Sequence, residues 1–178
     1  MLVDSISNNK IGDYEITDFI VSAKQAEINK TINPRHTIPG FYKRLSYKKR
    51  ATIMTNSPQE ISEISEICEQ ASGDILIMGL GLGLMIDLLL KNDKIKSITI
   101  IEKYIEVIKL VYPTFKHLKH LTVINEDAFN YNPKKIFDYI WHDIWCMILP
   151  DNKKEMTILK EKYKYYGVCH WCWSENLL

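Results

Sequence analysis

The chain has 178 residues, of which 46% are hydrophobic and 25% are charged. This apolar content is enough for one well-packed domain but too small for two full-sized ones. The 23 Lys and Arg residues and the 22 Asp and Glu residues give a formal charge of +1. Because no net field attracts the chain to nucleic acid or to an anionic membrane, neither is an expected partner, and nucleic acid would need a local patch.

The sequence carries no pattern of a membrane span or a secretory signal. Its longest apolar stretch, residues 75–90, is interrupted by glycines and Asp87 and is shorter than the roughly 20 apolar residues that a bilayer requires. The first ten residues are neither basic nor apolar. We therefore expect a soluble, cytoplasmic protein. The cysteines are irregularly spaced, which argues against a disulfide framework; they are Cys68, Cys146, Cys169 and Cys172.

The first 56 residues predict a β-rich N-terminal segment, and residues 57–178 predict a separate nucleotide-binding domain. Residues 14–21 mix β-branched and aromatic side chains, which is typical of a strand. Residues 41–47 and 51–55 have the same character, and the basic tripeptide Lys48-Lys49-Arg50 separates them. This pattern predicts a hairpin with a basic turn. Its cationic tip is expected to be solvated.

A helix is predicted to follow the hairpin. Ser57 would be its N-cap, Pro58 its first residue, and Glu60 the partner of Ser57 in a capping box. Apolar residues then repeat at helical spacing. Gly73 is predicted to end this helix as a left-handed cap.

From residue 74 onward, apolar strands alternate with amphipathic helices, which predicts an α/β fold with a parallel sheet covered on both faces. Right-handed crossovers would give the strand order 3-2-1-4-5. The last strand would be an exposed edge, so a homodimer through that edge or through the N-terminal hairpin is one arrangement the pattern allows. The predicted strands are residues 74–80, 96–102, 121–126, 137–144 and 168–173, and the predicted helices are about residues 82–91, 103–112 and 152–166.

Alternating glycines follow the first strand of this sheet, at Gly79, Gly81 and Gly83. Glycine allows a sharp turn from strand to helix and lets a ligand approach bare backbone. A tight turn packed against its neighbour would use the same residues, so both interpretations remain open for this motif alone.

Acidic side chains end the next two strands. Glu102 can accept hydrogen bonds from both hydroxyls of a ribose, or it can simply be the solvated first residue of a helix. Asp127, followed by Ala128, can accept from the exocyclic amine of adenine, or it can be an exposed loop carboxylate. Together with the glycines, these motifs stand in order at the carboxyl ends of successive strands. This conjunction favours a nucleoside-binding site.

The glycines, Glu102 and the pair Asp127-Ala128 resemble class I S-adenosylmethionine-dependent methyltransferases over about residues 73–145. The dinucleotide fingerprint fits less well, because Leu84 stands where its third glycine would be. The resemblance implies a Rossmann-like methyltransferase fold with S-adenosylmethionine as cofactor. In many members an acid two residues before the first glycine contacts the amino-acid part of the cofactor, whereas here that residue is Ile77.

Finer resemblances come from the flanking segments. The glycine motif with the preceding hairpin and helix looks like the spermidine synthase branch of the superfamily. The phrase Phe137-Asp-Tyr-Ile-Trp-His-Asp-Ile-Trp145 is similar to small uncharacterised methyltransferase-like proteins of phages and prophages. Those proteins supply no reaction for this chain.

The end of the fourth strand contains the candidate catalytic residues His142 and Asp143 and the candidate substrate-binding residue Trp145. In this fold that strand end faces the transferable group, and the resemblance puts Asp143 where aminopropyltransferases keep an acid. An aspartate there can orient or deprotonate a nucleophile, and Trp145 can shield a cation. Alternatively, Trp145 belongs to the core together with Trp141, and His142 is a buried histidine.

Three functions follow as expectations. The first is methyl transfer from S-adenosylmethionine to an unknown acceptor. The second is aminopropyl transfer to a polyamine, with Asp143 and either Glu15 or Asp18 binding the cationic acceptor. The third is a non-catalytic nucleoside-binding or interaction module. Cys169 and Cys172 have the spacing of half a zinc site, but because no second pair follows, no metal site is predicted.

Overall fold

Two β-sheets organise the chain in the computed structural model, which describes residues 1–32, 36–49, 51–147 and 149–173. The first sheet has the order β1-β2-β3-β4, and the second has the order β7-β6-β5-β8-β9. The strands are β1 Asn9–Ile11, β2 Tyr14–Val21, β3 Gly40–Tyr47, β4 Ala51–Thr55, β5 Gly73–Met78, β6 Ile95–Glu102, β7 Leu121–Asn125, β8 Phe137–His142 and β9 Gly167–Cys172. The helices are α1 Ala23–Ile32, α2 Pro58–Gln70, α3 Leu84–Leu89, α4 Ile105–Phe115 and α5 Asn152–Tyr163, and a 3-10 helix covers Leu2–Ser5.

The N-terminal sheet is antiparallel and contains the predicted strand and hairpin. Strand β2 pairs with β3, and β3 pairs with β4. At the hairpin turn Lys48 and Lys49 both have positive φ angles, of 50° and 57°, and Arg50 lies outside the described residues. Helix α1 between β2 and β3 is not predicted by the sequence, because most of its residues are polar and Ala26 is the only buried one among residues 23–31, whose burial is described.

The second sheet is entirely parallel, and its order confirms the predicted 3-2-1-4-5 arrangement of a Rossmann-like α/β fold. Central strand β5 pairs with β6 on one side and β8 on the other, so that Met78 lies beside both Ile101 and His142. The carboxyl ends of β5, β6 and β8 therefore meet at one edge of the sheet. Beyond that edge the chain continues into residues 79–83, which we call the glycine loop, into Lys103 and into Asp143.

Helix α2 begins at Pro58 with Ser57 as its N-cap residue, as predicted, but the predicted capping box and the predicted left-handed cap at Gly73 are wrong. The Ser57 side chain makes no capping hydrogen bond, and the Glu60 carboxylate instead accepts from the backbone N–H and the hydroxyl of Thr55, at 2.8 and 2.5 Å. Gly73 does have a left-handed φ of 77°, but it starts strand β5 after the helix has ended at Gln70. A side chain there would clash with Asp138.

Two hydrophobic clusters fill the two faces of the parallel sheet. One packs α5 against the sheet. The other joins the sheet to α2, α3 and α4 and continues into the N-terminal sheet through Tyr14, Ile16 and Leu45. The same core therefore crosses the boundary predicted at residues 56 and 57. In the described parts of the chain, no helix is both long enough and apolar enough to cross a membrane.

Candidate functional site

A cavity of about 440 Å³ opens where the carboxyl ends of β5, β6 and β8 face the N-terminal sheet. This volume lies in the range of small-molecule sites. Of the residues predicted from the sequence, the cavity brings together Gly79, Gly81, Glu102, Asp127, Ala128, Asp143 and Trp145. Gly83 and His142 are not among the residues that line this cavity.

The glycine loop needs its glycines for two different reasons. Gly79 has a φ of 99°, and a Cβ atom there would lie 2.1 Å from the backbone oxygen of Asp143. Gly79 is therefore required where the ends of β5 and β8 approach each other. Gly83 has a φ of 79°, and a Cβ atom there would lie 2.6 Å from the Phe115 ring. Gly83 thus serves packing between the loop and α4, not the lining of the cavity.

Glu102 ends β6 with a carboxylate that is 6% exposed. One carboxylate oxygen accepts the Leu80 N–H at 2.9 Å and the other accepts the Tyr104 N–H at 2.8 Å. Burial raises the pKa of this carboxyl, and the backbone hydrogen bonds oppose that shift. Each carboxylate oxygen keeps acceptor capacity for a further donor. Glu102 therefore fixes the glycine loop and presents an acceptor to the cavity.

Asp127 follows β7 and is held in place by two neighbours. Its carboxylate accepts the Phe129 N–H at 2.9 Å and forms an ion pair with Lys103 at 2.8 Å. Burial opposes ionisation, but the bonds from Lys103 and Phe129 outweigh it and lower the pKa of Asp127. The side chain is thus an ionised acceptor at the cavity wall. Lys103 also lines the cavity, a role that no sequence pattern indicated.

Asp143 follows β8 and is partly buried at the inner end of the cavity. Burial raises the pKa of its carboxyl to about 7; the nearby Trp141 indole opposes the shift, and the negative charges of Glu60 and Glu63 add to it. Trp141 is 3% exposed, and its indole N–H makes no hydrogen bond within the described residues. A carboxyl with this pKa can both accept and release a proton near neutral pH.

The His142 side chain points away from the cavity. Alternation along β8 places it on the face that packs against α5, where it is fully buried. Its ring stacks on that of His170 with 5.7 Å between the centroids. Burial, with a smaller effect from His170, lowers the pKa of His142 to about 3. His142 therefore stays neutral at physiological pH, and the structure does not bring it to the site that it was predicted to serve.

Trp145 lines the cavity and is also part of the core. Its indole N–H donates to the Glu155 carboxylate of α5 at 2.5 Å, and its side chain is 9% exposed. This bond fixes the plane of the ring beside Asp143. The two interpretations of Trp145 from the sequence are thus compatible.

The N-terminal sheet supplies a cavity wall that sequence analysis missed. The Tyr14 ring lies 5.1 Å from both Tyr47 and Tyr104, measured between centroids, and all three line the cavity. Met54 from β4 lies on the glycine loop, where its sulfur accepts the Leu82 N–H at 3.2 Å. The strands that carry Tyr14, Tyr47 and Met54 were predicted. The alternation of side chains along these strands does not indicate which other element of the protein each side chain faces.

Comparisons with known proteins found no matching family model and no matching curated protein. Among solved structures, the chain is similar to DhpI bound to SAH, with 17% identity, a TM-score of 0.49, and coverage of 62% of this chain and 52% of DhpI. It is also similar to an S-adenosylmethionine-dependent methyltransferase from Clostridium acetobutylicum, with 19% identity, a TM-score of 0.44 and coverage of 60% and 44%.

A third likeness is to the N-methyltransferase NodS from Bradyrhizobium japonicum bound to S-adenosylhomocysteine, with 15% identity, a TM-score of 0.43 and coverage of 58% and 53%. The matched part thus spans about half the length of these proteins. At such low identities and TM-scores, the likenesses assign no activity to this chain.

Proposed function

We propose that the protein binds S-adenosylmethionine in the cavity and catalyses methyl transfer to an acceptor that enters beside Asp143. The observation that carries this proposal is the Glu102 carboxylate, which is buried at the end of β6 and borders a cavity of nucleoside size. Burying a carboxylate costs free energy unless hydrogen bonds compensate it, and beyond the two backbone N–H groups that it accepts, Glu102 has acceptor capacity left for a ligand. Here it lies beside bare glycine backbone and a second acid, Asp127, as a nucleoside would require.

The residues present fit the adenosine part of this cofactor. Glu102 would accept the ribose hydroxyls, and Asp127 would accept the adenine amine next to Ala128. The tyrosines of the N-terminal sheet and Tyr104 offer ring faces along the same wall. When bound, the cofactor supplies a carbon made electrophilic by its sulfonium.

The chain's own contribution is to position the acceptor and to move its proton. Asp143 can orient an acceptor hydroxyl or amine and accept its proton, since burial holds the pKa of this carboxyl near 7. Trp145, fixed by Glu155, closes the space beside it. The N-terminal sheet covers the cavity from the other side and limits the access of water, which favours transfer by alignment in a dry site.

A second candidate function, aminopropyl transfer to a polyamine, is favoured by the charges around Asp143. Glu60 and Glu63 act on its carboxyl electrostatically, and a small crevice joins all three acids with Trp145 and Trp173. Carboxylates and indole faces together attract a cationic amine. Of the acids proposed from the sequence for this role, Asp143 lines the crevice and Glu15 and Asp18 do not; Asp18 pairs with Lys43 at 2.7 Å.

Titration calorimetry with S-adenosylmethionine and S-adenosylhomocysteine tests the proposal. We expect micromolar binding by the wild type, weakened at least tenfold by Glu102→Gln and by Asp127→Asn. The matched control is Glu126→Gln, because Glu126 is an exposed acid next to Asp127 and does not line the described cavity. No binding by the folded wild type would refute the proposal.

Acceptor screening then separates the candidate functions. Incubation with S-adenosylmethionine should yield S-adenosylhomocysteine and a methylated acceptor, whereas aminopropyl transfer from decarboxylated S-adenosylmethionine should yield 5′-methylthioadenosine. Glu63→Gln should weaken turnover of a cationic acceptor and leave that of a neutral acceptor unchanged. Binding without turnover for any acceptor would favour the non-catalytic module.

A further inference from the structure

Met54 occupies the part of the glycine loop that a ligand would approach. Its sulfur accepts the Leu82 N–H at 3.2 Å. A Cβ atom built on Gly81 would lie 2.6 Å from the same sulfur and 2.7 Å from the methyl group of Met54. The bare backbone at Gly81 is therefore already in close contact with a side chain of the N-terminal sheet.

The other amides of the loop are largely used within the protein. The Gly79 N–H donates to the Ile101 carbonyl at 2.8 Å, the Leu80 N–H to Glu102 at 2.9 Å, and the Gly83 N–H to the Leu80 carbonyl at 2.9 Å. A crevice of about 20 Å³ remains behind the loop, and the cavity of about 440 Å³ reaches the loop at Gly79 and Gly81, where Met54 also lines it. A ligand that extends from Glu102 toward the loop therefore meets the Met54 side chain.

Among the residues that line the small crevice at this end of the loop, Asp143 is the one acid and the others are apolar side chains or glycines. Ile77, which by the resemblance stands where many methyltransferases carry an acid that contacts the amino-acid part of the cofactor, is 2% exposed and belongs to the core. A thioether is a weak hydrogen-bond acceptor on a flexible side chain. A ligand carboxylate would bind the Leu82 N–H more strongly. It can reach this amide only after Met54 has moved.

We propose that Met54 is the specificity-determining residue for the 5′ end of the ligand. 5′-Thioadenosines that carry only a methyl group on the sulfur, such as 5′-methylthioadenosine, bind without moving Met54, whereas those with a full amino-acid chain must first displace its thioether from the loop. This inference rests on the proposed function, because it presupposes that a nucleoside of this class occupies the cavity. It adds that Met54 determines which 5′-thioadenosines bind most tightly.

Calorimetric titration of the wild type and Met54→Ala with 5′-methylthioadenosine and S-adenosylhomocysteine tests the inference. The wild type should bind 5′-methylthioadenosine at least as tightly as S-adenosylhomocysteine. In Met54→Ala the affinity for S-adenosylhomocysteine should rise about three- to tenfold, as expected when one flexible side chain no longer has to be displaced and reordered. The affinity for 5′-methylthioadenosine should stay within about twofold of the wild-type value.

Two further variants keep the result interpretable. Met54→Leu retains most of the apolar volume but removes the sulfur acceptor, and it should shift the ratio of the two affinities in the same direction if Met54→Ala does not fold. Ile53→Ala is the matched control, because Ile53 is the neighbour of Met54 on β4 and lines the same cavity. It should change both affinities by a similar factor.

The possible failures are distinguishable. If both ligands bind and the ratio of their affinities is the same in the wild type and the Met54 variants, the role of Met54 is refuted and the proposed function remains. If neither ligand binds to any folded variant, the proposed function is refuted and the inference falls with it.

Discussion

Replacing Asp143 by Asn should stabilise the protein at alkaline pH, which is unusual for a residue at the end of a buried strand. Burial raises the pKa of the Asp143 carboxyl from 3.8 to about 7. An acid with a pKa raised by folding destabilises the folded state at pH values above its unfolded pKa. The penalty is absent below pH 3.8, grows between pH 3.8 and about 7, and is constant above. Asn has nearly the same shape and carries no charge, so it avoids this penalty.

The size of this penalty is set by the difference between the unfolded and folded pKa values of Asp143, 3.8 and about 7. It corresponds to an upper bound of about 4 kcal/mol at pH 8. Because Asp143 is only partly buried, solvent screening reduces this figure, and we expect a gain of about 1–2 kcal/mol. At pH 4.5 most of the penalty is absent, so the two proteins should differ by less than about 0.5 kcal/mol.

Urea unfolding followed by tryptophan fluorescence at pH 8 and pH 4.5 provides the measurement. Asp138→Asn serves as control, since Asp138 lies on β8, the strand that precedes Asp143, and its carboxylate accepts the Asp74 N–H at 2.7 Å, at the end of β8 away from the cavity. That variant should lose stability. If Asp143→Asn is no more stable than the wild type at pH 8, the Asp143 carboxyl is not destabilised by its surroundings and the reasoning is refuted.

Three further predictions concern residues around the site. Glu102→Ala leaves two backbone N–H groups without their charged acceptor and should cost about 2–4 kcal/mol in urea unfolding, whereas a loss below 0.5 kcal/mol would contradict this role. Gly79→Ala, at a φ of 99° with a backbone oxygen 2.1 Å away, should cost at least about 2 kcal/mol and lower the thermal midpoint more than Gly12→Ala, where φ is 58° and the nearest atom lies 3.4 Å away. His142, whose pKa is lowered to about 3, makes stability fall as the pH drops below 6.5. His142→Phe should therefore retain about 2 kcal/mol that the wild type loses between pH 7 and 5 in urea titrations, and its ligand affinity should be unchanged.

The sequence predicts the parallel sheet well, because each of its strands is an apolar run bounded by turn residues. The same signal places Glu102, Asp127 and Asp143 at strand ends, and parallel strands bring such ends to one edge. Order along the chain is therefore enough to predict that these acids are neighbours.

Other features depend on contacts between distant segments and are not visible in local patterns. Helix α1 is missed because it buries little apolar surface. The capping box fails because Thr55 offers Glu60 two donors. His142 is misassigned because the alternation that sends Asp143 toward the cavity sends its neighbour to the opposite face. Met54 carries no motif at all, and only the docking of β4 on the glycine loop reveals its position.

The cavity lies between two sheets that come from different parts of the chain, and this arrangement links ligand binding to their association. A ligand that contacts Glu102 on one side and Tyr14 or Met54 on the other acts as a cross-link between the sheets. Its binding free energy then opposes every opening motion that separates them. Backbone amides of β3 and β4 should therefore exchange with deuterium more slowly in the presence of ligand. Hydrogen exchange in these strands would then report ligand binding in the cavity, although they precede the glycine loop in the sequence.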